Sequence, residues 1–310
     1  MSYRSAPPNF SFNVAQARNV GGLPLLSDYL ALTKPEVNFL ILITTFVGFY
    51  LASPSDGMFS FACLFNTLLG TLLVASGTGA LNQYVERKFD AQMRRTARRP
   101  VAAGRLTPSA ALVFGTVLSA VGSIYLAIAV NLLSSVLAAL TLLTYLLVYT
   151  PLKRKTPLCV LVGAFPGAMP PLIGWAAATG RLNLEVGMLY AMLFLWQFPH
   201  FMAIAWMYRE DYDRAGYLVL PKGKVRVPFV ILETLLPLLA LVAISIMQSP
   251  RRHAAIFHVG VVLLGTGFTY FGGKFVLERS RVAARQLLAA SIVYLPLIYG
   301  VSATLCNRTR

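Results

Sequence analysis

Long apolar stretches alternate with short polar ones along most of the chain, and the apolar stretches run unbroken rather than at every second residue. Each is close to the roughly 20 residues that a helix needs to cross a bilayer. Lipid offers no partner to an open backbone, so only helices or closed barrels span it, and barrel strands would alternate. The pattern predicts an all-α polytopic membrane protein, with nine transmembrane helices bundled around a central cavity. The spans fall at 36–52, 60–82, 109–130, 132–150, 157–178, 185–207, 228–247, 256–274 and 285–305. Turn chemistry marks the breaks, at "SPSDG", "RRPVAAGRLTP", "YTPLKRKTP", "TGRLN", "LPKGKVRVP" and "QSPRRH". The third and fourth spans are almost fused.

Composition agrees: 57% of the 310 residues are hydrophobic and only 12% charged, against about 25% charged in soluble domains. No inter-span segment can hold a soluble domain, so residues 28–310 read as one transmembrane domain behind a tail at 1–27. With that tail inside, 22 of the 27 lysines and arginines lie in inside segments. That asymmetry puts the N-terminus in the cytoplasm and, after nine spans, the C-terminus outside. The net charge of +16 is then a topology signal and an attraction to anionic lipid, not a sign of a nucleic-acid partner. The tail carries Arg4 and Arg18, no acid before Asp28 and no apolar signal core. It reads as a cytoplasmic tail, with a short targeting segment as the alternative, and its brevity favours a bacterial inner membrane over a mitochondrial one. Cys63, Cys159 and Cys306 stand too far apart to suggest a zinc site or disulfide frame.

Charge is concentrated where the second span ends, in "GALNQYVERKFDAQMRRTARRPVAAGRL". Asn82, Glu86 and Asp90 are four apart and drift only about 40° per step, so they share one helix face. Alone, the stretch reads as a solvated helix end or an anionic-lipid patch. A second cluster follows the sixth span, in "WQFPHFMAIAWMYREDYDRAGYLVLPKGK", where Glu210, Asp211 and Asp213 stand beside Arg209 and Arg214. Both clusters follow even-numbered spans and so face the same side. Magnesium is held by one or two carboxylates together with substrate phosphates, and arginine grips phosphate in a bidentate fork. Paired acids ringed by arginines over an apolar chamber therefore point to an isoprenyl diphosphate. A fifteen-carbon tail would contribute on the order of 10 kcal/mol of burial before ordering costs.

The words "NQYVERKFDAQMRRTARRPVAAGRL", "VYTPLKRKTP", "GAFPGAMPPLIGWAAATG" and "LWQFPHFMAIAWMYREDYDRAGYLVLP" resemble the UbiA-type intramembrane prenyltransferases over roughly residues 27–305. "RRTARRP" and "WQFPHF" followed by "WMYREDY" mark their heme-farnesylating branch. The wider first motif is Asn-xxx-Asp-xxx-Asp, and Glu86 takes its middle place, as in that branch. Of the second motif, Asp-xxx-Asp, only Asp211 fits, because position 215 is alanine, so Asp213 stands as a substitute donor for one or two Mg²⁺.

The resemblance implies a Mg-dependent transfer of farnesyl from farnesyl diphosphate to a vinyl group of heme B, giving heme O and diphosphate. Heme B is then a substrate rather than a cofactor, and a heme A synthase is the downstream partner. Asn82, Glu86, Asp90 and Asp211 are the catalytic metal-holding set. Arg94, Arg95, Arg98, Arg99, Lys153, Arg154 and Arg209 are diphosphate-binding candidates. Tyr84, Tyr145, Tyr149 and Tyr208 lie at the depth to shelter a carbocation.

His200 lies inside the sixth span, eleven residues before Asp211, and shares its face if the helix is continuous. It reads as a hydrogen-bonded core histidine, a heme-iron ligand or a proton- or vinyl-positioning group. "GAFPGAMPPLIGW" reads as close helix packing or a kink along the substrate path. The rivals are a prenyltransferase for another aromatic acceptor and a secondary transporter. A transporter would place its binding groups near the midplane, whereas these acids crowd one surface.

Overall fold

The computed structural model describes residues 26–54, 59–247 and 254–305. The N-terminal tail up to residue 25 and Cys306 lie outside them. The described residues form helices without strands: α1 (Leu26–Thr33), α2 (Pro35–Ala52), α3 (Phe61–Asp90), α4 (Pro108–Ala129), α5 (Leu132–Leu143), α6 (Thr150–Leu152), α7 (Cys159–Gly167), α8 (Pro170–Thr179), α9 (Leu184–Met207), α10 (Arg209–Arg214), α11 (Arg226–Met247), α12 (Ala254–Glu278) and α13 (Arg281–Leu305). Nine stretches among them are long and apolar enough to cross a membrane. Exposed Val113, Val117, Val121, Ile124 and Ile128 make a greasy stripe along α4, spaced as one helix face turned toward lipid.

The spans follow the sequence expectation closely, with informative differences. The second was expected to stop at 82, yet α3 continues without a break to Asp90. Asn82, Glu86 and Asp90 thus sit on one rigid rod. The near-fused third and fourth spans separate at Val130 and Asn131, where the Asn131 side chain caps α5 by accepting from the Ser134 amide. The fifth span is two helices. Pro166 lies inside α7, one residue before its end, and Pro170 and Pro171 open α8, first-turn positions where a missing N–H costs little.

Neighbouring helices close a ring: α2 packs on α3 and α8, α3 on α4, α4 on α5, α9 on α7, α11 and α13, and α13 returns to α2. Two glycines set the closest approach. A Cβ on Gly48 would collide with the Pro171 carbonyl, and one on Gly174 with the Thr45 carbonyl. Both are backbone atoms that cannot swing aside, so α2 and α8 meet at a distance only glycine allows. The proline- and glycine-rich fifth span therefore both kinks and packs closely.

The polar connections gather at one end of the bundle. The Leu218 amide donates to the Lys153 carbonyl at 2.6 Å, and Arg214 reaches the Gln92 carbonyl at 3.4 Å. Arg105 pairs with Asp28 at 2.8 Å, and Arg281 with Glu210 at 3.0 Å. The loops after α3, α6, α9 and α12 thus share one basic face.

Candidate active site

The last two turns of α3 form the wall of the site. Asn82, Glu86 and Asp90 are all buried, and the amide of Asn82 donates to Glu86 Oε2 at 2.9 Å. Four other parts of the chain supply their partners. Lys34, between α1 and α2, donates to Asn82 Oδ1 at 2.7 Å. Lys153 and Tyr217 both donate to Glu86 Oε1, at 2.9 and 3.0 Å. Arg99 holds both oxygens of Asp90 in a fork, at 2.9 and 2.8 Å. The loop carrying Arg99 is folded back by Thr96, whose hydroxyl donates to the Asp90 carbonyl at 2.9 Å.

Burial and charge compete at these cations. Burial pushes Lys34 down to about 7, nearby Arg99 adds to the fall and Glu86 opposes it. Burial also disfavours the Lys153 ammonium, but the Glu86 carboxylate overrides it and holds Lys153 well above the ordinary lysine range. Burial and then the Glu86 charge push the Tyr217 phenol far up, so it remains a donor at any physiological pH.

Tyr145 and Tyr149 lie in a π-helical stretch, Thr144–Tyr149, just before Pro151. Proline has no N–H and crowds the carbonyl one turn back, and the widened turn accommodates it; such bulges recur at functional sites. The Lys153 ammonium lies 4.5 Å from the Tyr149 ring centre and 5.9 Å from that of Tyr145. Tyr149 in turn fills the space left by Gly163, where a Cβ would come within 2.5 Å of its ring.

The second cluster comes to the same place, though not as a continuation of α9. That helix passes through Pro199 undisturbed and ends at Met207. Tyr208, at φ −108°, turns the chain into the separate α10. The shared helical face expected for His200 and Asp211 is therefore broken, at Tyr208. Asp211 is buried and paired with Arg214 at 3.1 Å. Asp213, two residues on and so about 200° around the axis, pairs instead with Arg226 at 3.3 Å. The two acids cannot face α3 together. The approach to α3 is made by Tyr217 on Glu86 and by Arg95, which donates to the Tyr212 hydroxyl at 3.4 Å and stacks on Tyr208.

The other expected cations divide. Lys153 and Arg99 are in the site. Arg154 lies over Phe89 at 4.6 Å, and Arg209 lies over Trp206 while pairing loosely with Glu210. Arg98 contributes its carbonyl to Arg105. Arg94 and Arg95 border a separate cavity of about 370 Å³. Tyr84 is turned about 200° from Glu86, packs with Leu32, Ala80 and Leu106, and carries Arg87 on its ring; it does not face the site. Lys34 and Tyr217 were missed by sequence reasoning. Their signals were a lone lysine in "LTKPEV" at the mouth of the first span, and a tyrosine in the basic loop "AGYLVLPKGK".

His200 sits deeper, on α9. Its Nδ1 is 2.8 Å from Ser291 Oγ on α13, and its ring stacks on Trp196 with centroids 4.5 Å apart. The Ser291 hydroxyl has one proton and donates it to the Leu288 carbonyl at 2.7 Å. It must therefore accept from Nδ1–H, which leaves the Nε2 lone pair available. Trp196 fixes the same partner by donating to the Ser291 carbonyl.

Among the described residues, no three His, Cys, Asp or Glu side chains stand close enough to hold a metal by themselves. The donors on α3 are amide and carboxylate oxygens on one wall. That set suits Mg²⁺, which keeps waters and shares its shell with substrate phosphates.

A ring of membrane helices with acids and cations collected over one end is the build of an intramembrane transferase. The chain belongs to the UbiA prenyltransferase family, whose pattern matches residues 41–295. It is 45% identical over 284 residues to a protoheme IX farnesyltransferase of Solibacter usitatus (strain Ellin6076), covering 89% of this chain and 97% of that protein. It is 39% identical over 290 residues to one of Koribacter versatilis (strain Ellin345), covering 91% and 94%. Among solved structures, a digeranylgeranylglyceryl phosphate synthase superposes with a TM-score of 0.70 at 16% identity, over 90% of this chain and 98% of that one. A UbiA homolog from Archaeoglobus fulgidus, solved with GPP and Mg²⁺, gives 0.64 at 14% identity, over 88% and 99%.

Proposed function

We propose that this protein transfers the farnesyl group of farnesyl diphosphate to a vinyl group of heme B, releasing diphosphate and forming heme O. One observation carries the reading of the site: Lys34, Arg99, Lys153 and Tyr217 converge from four separate segments on the Asn82, Glu86 and Asp90 wall. No structural role needs so many buried charges in one place, and in a membrane protein such groups are costly. Relatives of nearly full length bear the name of that reaction. The A. fulgidus homolog was solved with Mg²⁺ and an isoprenyl diphosphate, which supports the same class of donor here.

Asn82, Glu86 and Asp90 are the residues that would hold Mg²⁺, with Asp211, which borders the neighbouring cavity, as a further candidate donor, and the ion would neutralise charge growing on the departing diphosphate. Lys34, Lys153 and Arg99 stand ready for the same charge, which is larger in the transition state than in the bound substrate. As the C–O bond breaks, the allylic carbon becomes cationic, and the Tyr145 and Tyr149 faces stabilise it. The vinyl group of heme donates its π electrons to form the new C–C bond. Water adds to the resulting porphyrin-side cation and loses a proton, leaving a hydroxyethylfarnesyl group. His200, through its Nε2 lone pair, is the ligand for the heme iron. The basic end faces the cytoplasm of a bacterial cell, the N-terminus lies inside and the C-terminus outside. A heme A synthase consumes the product.

Incubating the purified protein with heme B, farnesyl diphosphate and Mg²⁺ tests the reading. The expected product is a heavier, more apolar heme by chromatography and mass spectrometry, lost with EDTA and restored by excess Mg²⁺. Undiminished product in EDTA would reject the metal assignment, and farnesylation of a quinone precursor but not of heme would reject the acceptor.

A further inference from the structure

The cavity of about 370 Å³ lies beside the α3 wall, where α9 ends and α13 begins, and its arginines exceed its acids. Arg94, Arg95, Arg281 and Arg285 line it, against Glu210 and Asp211. Asp211 is already held by Arg214, and Glu210 by Arg281. The side chains of Arg94 and Arg285 make no hydrogen bond or ion pair among the described residues. The cavity therefore keeps an uncompensated positive field, and paired guanidinium groups suit carboxylates or phosphates.

Its placement selects between those anions. The cations of the α3 wall, Lys34, Lys153 and Arg99, already meet the place assigned to the diphosphate. The loop after α3, the end of α9, α10 and the start of α13 build the cavity, and α9 and α13 are also the helices whose His200 and Ser291 touch deeper in the bundle. Met207, on the cavity wall, is seven residues beyond His200, and seven steps of about 100° bring it back within about 20° of the same face. The rise between them is about 10 Å, comparable with the distance from the centre of a porphyrin to its propionate ends.

We propose that this cavity binds the two propionate carboxylates of the heme acceptor through Arg94, Arg281 and Arg285, so that the porphyrin stands on edge between the basic rim and His200. The inference rests on heme being the acceptor. It explains why the α13 arginines, which the diphosphate does not need, sit at this rim. It also fixes the acceptor's orientation, because propionates held at the basic end and iron held at His200 leave the rotation of the macrocycle little freedom.

Heme B titrations of the purified full-length protein, followed by the Soret band, test this against the Arg94→Gln/Arg285→Gln variant. Heme B dimethyl ester, which lacks the carboxylates, is the parallel arm. Loss of two charge-assisted contacts is expected to weaken heme B binding at least about tenfold, with the KM for farnesyl diphosphate unchanged. The ester should bind the wild type at least as weakly as heme B binds the variant, and the variant, which keeps Arg281, should distinguish the two hemes much less than the wild type does. Equal affinity of the wild type for heme B and its ester would overturn the proposal, and needs no variant to fold. A raised KM for farnesyl diphosphate with an unaltered heme titration would also overturn it and assign the arginines to the diphosphate. A wild type that binds heme B and forms no farnesylated product would reject the reaction, while the ester comparison would still decide the arginines.

Discussion

Glu86→Gln is expected to lower farnesyl transfer by roughly 10²–10³-fold, the range for losing one preorganised charged or polar group in a buried site. Glutamine keeps the shape, and its one carbonyl oxygen can still accept from Lys153 and Tyr217, seen at 2.9 and 3.0 Å, but its NH₂ cannot accept from the Asn82 amide as Glu86 Oε2 does. The negative charge is lost together with that one acceptor. That charge balances Lys153 and Lys34 in the resting protein and, in the function proposed above, would supply an oxygen donor for Mg²⁺. A single-turnover assay with saturating heme B measures the effect on the chemical step. Tyr217→Phe gives a calibrated contrast. It removes one hydrogen bond to the same carboxylate without changing its charge, and about 10–100-fold is expected for an outer-shell partner.

Lys153→Met carries the second large effect, and it divides between stability and activity. Lys153 and Glu86 form a buried pair, with side chains 13% and 7% exposed. Removing one member of such a pair leaves an uncompensated charge, at a cost of roughly 3–5 kcal/mol. Thermal unfolding in detergent should show that loss, and the KM for farnesyl diphosphate should rise as a cation of the site disappears. The double variant Lys153→Met/Glu86→Gln separates the two contributions. With both charges gone the burial penalty is relieved, so much of the stability should return while activity does not. Recovery of activity in the double variant would mean that the pair only props the fold.

Much of the architecture can be read from the chain because lipid imposes a simple rule. Unbroken apolar runs must be helices, and the boundaries agreed within a few residues at most ends. The wall of the site was equally legible, since a four-residue spacing places Asn82, Glu86 and Asp90 on one face whatever surrounds them. What escaped was tertiary. Nothing local in "LTKPEV" shows that Lys34 meets Asn82 across 48 positions, nor that Tyr217 meets Glu86 across 131. The break at Tyr208 was hidden for a different reason. Helical periodicity continues through "WMYREDY", and only the backbone angle of one residue separates α10 from α9. Asp213 illustrates the consequence: adjacent in sequence to the acids of the site, it is rotated onto Arg226.

The central claim is spatial: a diphosphate sits between the end of α3 and the segment from Tyr208 to Leu220, above the apolar bundle. A structure of the protein with a thiolodiphosphate analogue of farnesyl diphosphate and Mg²⁺ tests it most directly. The account predicts phosphate oxygens beside Lys34, Lys153 and Arg99, metal on the Asn82, Glu86 and Asp90 wall, and the prenyl chain descending past Tyr149. A diphosphate bound only among Arg94, Arg281 and Arg285, with the α3 acids still paired to Lys153 and Arg99, would contradict it.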